Sequence, residues 1–301
     1  MNSVTFTTWI RAARLRTIPL SVSGILVGSA GASMKNEFDV CIFTLAMLTT
    51  VCYQLLSNFA NDYGDGMKGT DNPERVGPKR IFQSDNISRL QLRQAIFVIS
   101  GFAVLLTILL VYLAFGFSKT ALIFLGLGFF AVVSAIRYTV GSNAYGYRGL
   151  GDLFVFLFFG FVSVLGSHYL YTLELDLSLI FPATSIGLLS VGVLNINNMR
   201  DRVNDKQYGK TTIAVLLGTK KAAIYQLLLV VIPVVLTVVY GLIYHAINFV
   251  IMSAIMIIPI YLHLMVVFKK QNEKNLDPEL KKIALMTFFY AISFSSLLIV
   301  F

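Results

Sequence analysis

The chain alternates long apolar runs with short polar breaks, and the runs are nearly uniform in length. Taking ~20 apolar residues as the length that crosses a bilayer, spans fall at about 17–34, 40–60, 94–114, 119–137, 151–172, 178–198, 222–243, 246–268 and 283–301. The pattern predicts nine transmembrane helices. No long linker or low-complexity tract interrupts residues 1–301, so one all-α, polytopic membrane domain is expected. Composition agrees: 56% hydrophobic, 13% charged and a mean hydropathy of +0.76 suit a chain solvated mainly by lipid.

The net charge of +9 raises nucleic acid as a partner, but its distribution points elsewhere. With the N-terminus inside, every Lys and Arg except Lys35 and Lys119 falls on the inner side, the orientation signal of a membrane protein. No nucleic acid is expected. The first run has the outline of a cleavable signal, since Arg11, Arg14 and Arg16 precede an apolar stretch ending in "GSAGAS"; the charge partition argues for a retained helix instead. An odd number of spans places the C-terminus outside. The outer connections, such as "KNEFD", "FGFS" and "LELD", are too short for catalysis, so chemistry is expected on the cytosolic side. Cys41 and Cys52 share one apolar run and read as packing residues.

Two polar stretches stand at the inner ends of the second and sixth spans. The first, "NFANDYGDGMKGTDNPERVGPKR", runs from Asn58 to Arg80; the second, "NINNMRDRVNDKQYGKTTIAVLLG", from Asn195 to Gly218. Asn61 and Asp65 are four apart, and Asn197, Asp201 and Asp205 continue at the same interval, which on a helix stacks the oxygens along one face. Two such faces opposed would make an oxygen cage suited to Mg²⁺, a hard ion that takes few protein ligands and completes its shell with phosphates. Lys68, Arg75, Lys79 and Arg80 follow the first cluster; Arg200, Arg202, Lys206 and Lys210 surround the second. Acids interleaved with bases fit a metal-bridged diphosphate. Glycines 64, 66, 69 and 77 would let backbone approach an anion. The competing reading is a set of solvated loop charges. His168, His245 and His263 lie away from these acids and read as structural.

This arrangement resembles the UbiA superfamily of intramembrane prenyltransferases over essentially the whole chain. The two acidic stretches, "AYGYRGLGD" (Ala144 to Asp152) and "AARLRTIPLS" are similar to the branch that prenylates 1,4-dihydroxy-2-naphthoate in menaquinone synthesis. Two departures are visible: Leu15 stands where the family usually has Pro, and Gly69 where the wider superfamily often has a second Asp, the next acid being Asp71.

The resemblance implies a polyprenyl diphosphate bound through Mg²⁺, with Asn61, Asp65, Asn197, Asp201 and Asp205 as metal ligands. Asp65, Asp201, Asp205 and Arg148 are then the catalytic group, Arg148 holding the acceptor carboxylate. Asp71, Lys79, Arg80, Arg137, Tyr138, Tyr145 and Lys210, with Asn61 and Asn197, become substrate contacts. Tyr147 lies in the same loop. Asp152 is a possible partner of Arg148, and Arg14 and Arg16 serve either the anion or membrane anchoring. The prenyl tail is expected to leave laterally into lipid, along helices such as "LFVFLFFGF". Two alternatives stand beside this reading. One is another aromatic acceptor, 4-hydroxybenzoate or homogentisate. The other is a cation-coupled transporter, whose ion site would lie nearer the bilayer midplane.

Overall fold

A computed structural model describes residues 6–73, 75–77, 87–269 and 276–300. The elements are α1 (Phe6–Ala13), α2 (Ile18–Met34), α3 (Val40–Met67), α4 (Arg89–Phe115), α5 (Lys119–Arg137), α6 (Gly151–Val155), α7 (Ser167–Thr172), α8 (Ile180–Gln207), α9 (Ile213–Ile243), α10 (Ile247–Lys269) and α11 (Asp277–Val300). Between α6 and α7 the chain stays helical but widens to a π-helix over Phe156–Gly166. Among the described residues, nine helical segments are long and apolar enough to cross a membrane. The protein is an integral membrane protein.

Helix starts follow their caps. Asp39 accepts from the Cys41 and Ile42 amides at the head of α3, Ser88 and Gln91 form a reciprocal capping box at α4, and Thr212 caps α9. The helix ends depart most from the hydropathy reading. α3 continues to Met67, α8 to Gln207, and α9 begins at Ile213, because the polar residues there find partners within the protein and need no loop to reach water. Gly218 (φ 69°) breaks α9 after its first turns. The first span is also resolved further: α1 turns into α2 through Arg14, whose φ is 48°.

α3 and α8 are both 28 residues long and end in the same way. Gly69 and Gly209 adopt φ of 74° and 71°, which a residue bearing Cβ enters at a cost. The Thr70 amide then reaches the Asp65 carbonyl at 3.0 Å, and the Lys210 amide reaches the Asp205 carbonyl at 2.8 Å, the bond pattern of a Schellman cap. This match pairs Asp65 with Asp205 and Asn61 with Asp201. The four-residue spacing alone left the register between the two clusters open; the glycine caps set it.

The largest apolar core joins α2, α8, α9, α10 and α11, while smaller clusters hold α3, α4 and α5. The π-helical segment is pressed tightly between α2 and α8. A Cβ at Gly28 would overlap the Ser167 hydroxyl and the Val164 carbonyl, and one at Gly160 would stand 2.5 Å from the Ala183 carbonyl. On its third side the segment faces α5 across a cavity of about 660 Å³.

Candidate active site

Polar side chains climb α3 in steps of four: Thr49, Tyr53, Ser57 and Asn61 line that cavity, and Asp65 is the next step. The remaining wall is chiefly apolar, from α5 and residues 154–170. Tyr138 and Tyr145 close the end near Asn61, their rings meeting edge to face at 5.3 Å. Ile123, Leu127 and Val162 both line the cavity and are exposed on the helix surfaces, so it communicates with the surroundings between α5 and the π-helical segment. Phe130 with Phe158 (5.9 Å) and Phe124 with Tyr169 (5.6 Å) bridge this gap at two levels.

Beyond Asn61 the two acidic helix ends meet. Asp65 and Asp205 are buried, and the Lys210 ammonium lies 3.3 and 3.2 Å from the two Asp65 oxygens. Burial alone would lower the lysine's pKa, but Asp65 and Asp205 outweigh it and hold it well above the ordinary value. The Tyr147 hydroxyl donates to Asp65 Oδ1 at 2.8 Å and contacts the Thr70 hydroxyl at 2.6 Å. Burial, reinforced by Asp65, pushes the Tyr147 phenol upward, so it remains a donor. Lys68 Nζ sits 3.7 Å above the Tyr147 ring centroid, a cation–π contact.

Asp201 is enclosed by guanidinium groups. Arg75 donates to it at 2.5 Å, and Arg200 makes a two-pronged contact at 2.9 and 2.8 Å. Arg200 also donates to Asn197 at 2.8 Å. Asp71 lies 3.7 Å from Arg75, and burial together with the Asp65 carboxylate pushes it up to about 8. The loops are strapped by amides: Asn204 donates to the Thr70 carbonyl at 2.8 Å and accepts from Asn72 at 2.7 Å. Thr211 pairs its amide with the Tyr147 carbonyl at 3.1 Å, fixing the tyrosine loop over the helix ends.

The structure thus brings together Asn61, Asp65, Asp71, Tyr138, Tyr145, Asn197, Asp201, Asp205 and Lys210. It does not bring Arg148 to the cavity. Arg148 is exposed and donates to Asn143 at 2.5 Å, because the turn through Gly149 (φ 75°) carries its side chain outward. Asp152 is not its partner either, being bound by the Tyr225 hydroxyl at 3.1 Å. Arg137 is exposed beside Gly141 at the end of α5. Arg14 is ion-paired with buried Asp62. Lys79 and Arg80 lie outside the described residues. Thr70 and Asn204 were not singled out as site residues, and Tyr147 was expected over the cavity, toward a phenol or positive charge, instead of at Asp65; these roles depend on contacts between loops that no local spacing displays.

Residues 21–292 match the model of the UbiA prenyltransferase family. The chain belongs to this family. It is 37% identical over 290 residues to a 1,4-dihydroxy-2-naphthoate octaprenyltransferase of Haemophilus influenzae, covering 95% of this chain and 94% of that one. It is 43% identical over 218 residues to the Escherichia coli protein of the same name, covering 72% and 71%. A UbiA homolog from Aeropyrum pernix shares the fold with a TM-score of 0.70 at 18% identity, covering 95% of this chain and 98% of that one. One from Archaeoglobus fulgidus, solved with GPP and Mg²⁺, gives 0.67 at 14% identity, covering 96% and 99%.

Among the described residues, no three His, Cys, Asp or Glu side chains converge closely enough to enclose an ion alone. Asp65, Asp201 and Asp205, with Asn61 and Asn197, supply only hard oxygen donors, the kind Mg²⁺ takes where substrate phosphates complete its shell.

The hydrogen bond from Tyr147 to a carboxylate predicts the behaviour of a one-atom deletion. Tyr147→Phe keeps the ring under Lys68 but frees one Asp65 lone pair, a loss of roughly 1.5–3 kcal/mol. Prenyl-transfer assays are expected to show kcat/KM down by about ten- to a hundredfold, with the melting temperature of the detergent-solubilised protein little changed.

Proposed function

We propose that the protein transfers a polyprenyl group from polyprenyl diphosphate to 1,4-dihydroxy-2-naphthoate with loss of CO₂, giving demethylmenaquinol for menaquinone synthesis. The carrying observation is the junction at Asn61, where a long apolar cavity meets two buried acidic helix ends flanked by Lys68, Arg75 and Lys210. An amphiphile with an isoprenoid tail and a diphosphate head fits both parts at once. The names borne by the Haemophilus influenzae and Escherichia coli relatives support the acceptor.

Asn61, Asp65, Asn197, Asp201 and Asp205 would hold Mg²⁺, the ion bound with GPP in the Archaeoglobus fulgidus homolog. Held there, Mg²⁺ would supply electrostatic neutralisation of the diphosphate leaving group. Lys68, Arg75 and Lys210 bind the same anion from the loops and the cap of α8. Tyr138 and Tyr145 line the cavity end beside Asn61, placing aromatic rings near the region where allylic positive charge would develop. Burial pushes both phenols upward, so they stay neutral and weakly nucleophilic. The apolar wall excludes water that would quench the cation to an alcohol.

The acceptor ring carbon that carries the carboxylate forms the new C–C bond. Breaking its bond to the carboxylate releases CO₂ and returns the electron pair to the ring, so no ring proton has to be removed. The tail lies along the cavity and leaves between α5 and the π-helical segment.

The site faces the cytosol, as the basic residues Lys68, Arg75, Arg89, Arg93, Arg202 and Lys206 at that end support. In a cysteine-free background, Asn36→Cys should react with an impermeant maleimide added outside intact cells, and Ser88→Cys only after lysis. The reverse pattern would overturn the orientation.

Product analysis in lipid nanodiscs tests the reaction. With Mg²⁺ and polyprenyl diphosphate, dihydroxynaphthoate should give decarboxylated prenyl naphthoquinol, and chelator should abolish it reversibly. Asp65→Ala and Asp205→Ala each remove several kcal/mol of charge stabilisation, a loss of about 10³-fold. Product from 4-hydroxybenzoate alone would move the acceptor assignment; diphosphate release from neither acceptor would sink the enzyme reading.

The cavity gives a separate expectation. Ala131 lies on its α5 wall, and Ala131→Phe should lower turnover with a long polyprenyl diphosphate much more than with dimethylallyl diphosphate, read by competition between the two donors.

A further inference from the structure

Arg200 is almost wholly buried, at 1% exposure, and its guanidinium is divided among three side chains. Nε and Nη2 grip Asp201, Nη2 also reaches Asn197, and Nη1 donates to Asp277 Oδ1 at 2.5 Å. Asp277 opens α11, far from either acidic motif in sequence, and its other oxygen stands 4.0 Å from Arg16 Nη1 in the turn between α1 and α2. We infer that Asp277 is a positioning residue for the proposed metal-binding face of α8, acting through Arg200 to fix Asp201 and Asn197 and to limit how much of the guanidinium charge Asp201 alone must neutralise.

The argument has a geometric and an electrostatic part. Neighbouring residues on a helix point in different directions, so the two-pronged contact of Arg200 with Asp201 depends on the guanidinium being held in one plane. Asp277 holds the far side of that plane. Its own position is fixed by a second connection between α8 and the first turn of α11. Asn195 donates to Gln226 Oε1 at 2.9 Å, Gln226 Nε2 meets His263 Nε2 at 3.2 Å, and His263 Nδ1 meets Glu279 Oε2 at 2.7 Å. With the glutamine nitrogen as donor, His263 carries its proton on Nδ1 and gives it to the Glu279 hydrogen bond. His263 and Glu279 are each 1% exposed, so this chain through α8, α9, α10 and α11 runs in the dry core, where satisfied polar links are rigid.

The electrostatic part concerns competition. Arg75 and Arg200 both bind Asp201, yet the same carboxylate is to accept a divalent cation. Asp277 compensates part of the Arg200 charge. Without that compensation the guanidinium satisfies its charge on Asp201 alone, and the carboxylate becomes a poorer metal ligand. Partners of this kind, one step removed from the ion, commonly change metal affinity by roughly 10–100-fold.

The inference rests on Asp201 as a metal ligand, and the test separates the two claims. Isothermal calorimetry of a prenyl thiolodiphosphate, which does not react, is run at increasing Mg²⁺ with wild type, Asp277→Asn and Asp277→Glu. Asp277 is a third exposed at its side chain, so the neutral amide is tolerated sterically. The expected result is a rise of about tenfold in half-saturating Mg²⁺ for Asp277→Asn, with binding stoichiometry, melting temperature and kcat at saturating Mg²⁺ retained. Asp277→Glu should return the midpoint toward wild type. An unchanged midpoint in Asp277→Asn would overturn the inference. So would an equal shift in both variants accompanied by equal losses of melting temperature and kcat. Wild-type protein that binds the analogue without any Mg²⁺ dependence would instead overturn the metal reading of the site.

Discussion

A carboxylate buried at the end of a membrane-embedded helix is costly unless a cation or hydrogen-bond donor meets it, and this requirement organises the functional end of the protein. Asp65 has Lys210, Asp62 has Arg14, and Asp201 has Arg75 and Arg200. Each cation comes from a different element than the acid it serves, apart from Arg200, so neutralising the acids also draws the loops and helix ends together. Removing one partner of such a pair typically costs about 3–5 kcal/mol because the other charge is left uncompensated. The acids therefore act as folding instructions for the loops, apart from the ligation proposed for them. A diphosphate with its metal can replace these internal pairs with equivalent ones at little net change in charge.

The helices beneath supply direction. The two Schellman caps place Asp65 and Asp205 at equivalent points of equal-length helices, and α3 carries the polar ladder that leads from the cavity to the first of them. Dense packing of α2, the π-helical segment and α8 makes one side of the cavity unyielding. α5, held to α3 and α4 and only bridged by aromatic rings to the π-helical segment, leaves the other side open. Head-group chemistry and tail accommodation consequently use different faces of the same bundle.

Much of this was legible in the chain. Helical periodicity is local, so the nine spans and the four-residue spacing of Asn61, Asp65, Asn197, Asp201 and Asp205 could be read directly. Helix ends could not, because hydropathy treats Asn61 to Met67 and Met199 to Gln207 as loop when protein partners keep them helical. The register between clusters was not legible for a related reason: it depends on the glycine caps that set where each helix stops. The tyrosine loop depended on backbone. Gly149 and the pairing of Thr211 with Tyr147 decide that Tyr147 meets Asp65 while Arg148 points outward. The link from Arg200 to Asp277 crosses 77 residues, and no local pattern announces it.

The uneven packing around the π-helical segment also bears on how such a protein diversifies. Substitutions at Gly24, Gly28, Gly160 or Gly187 strike backbone or a neighbouring side chain and disturb the whole bundle. Changes along Ile123, Leu127 and Ala131 alter only the open wall. Tail length is therefore a trait that drift or a designer can adjust along one helix, with the ionic machinery on α3 and α8 inherited intact.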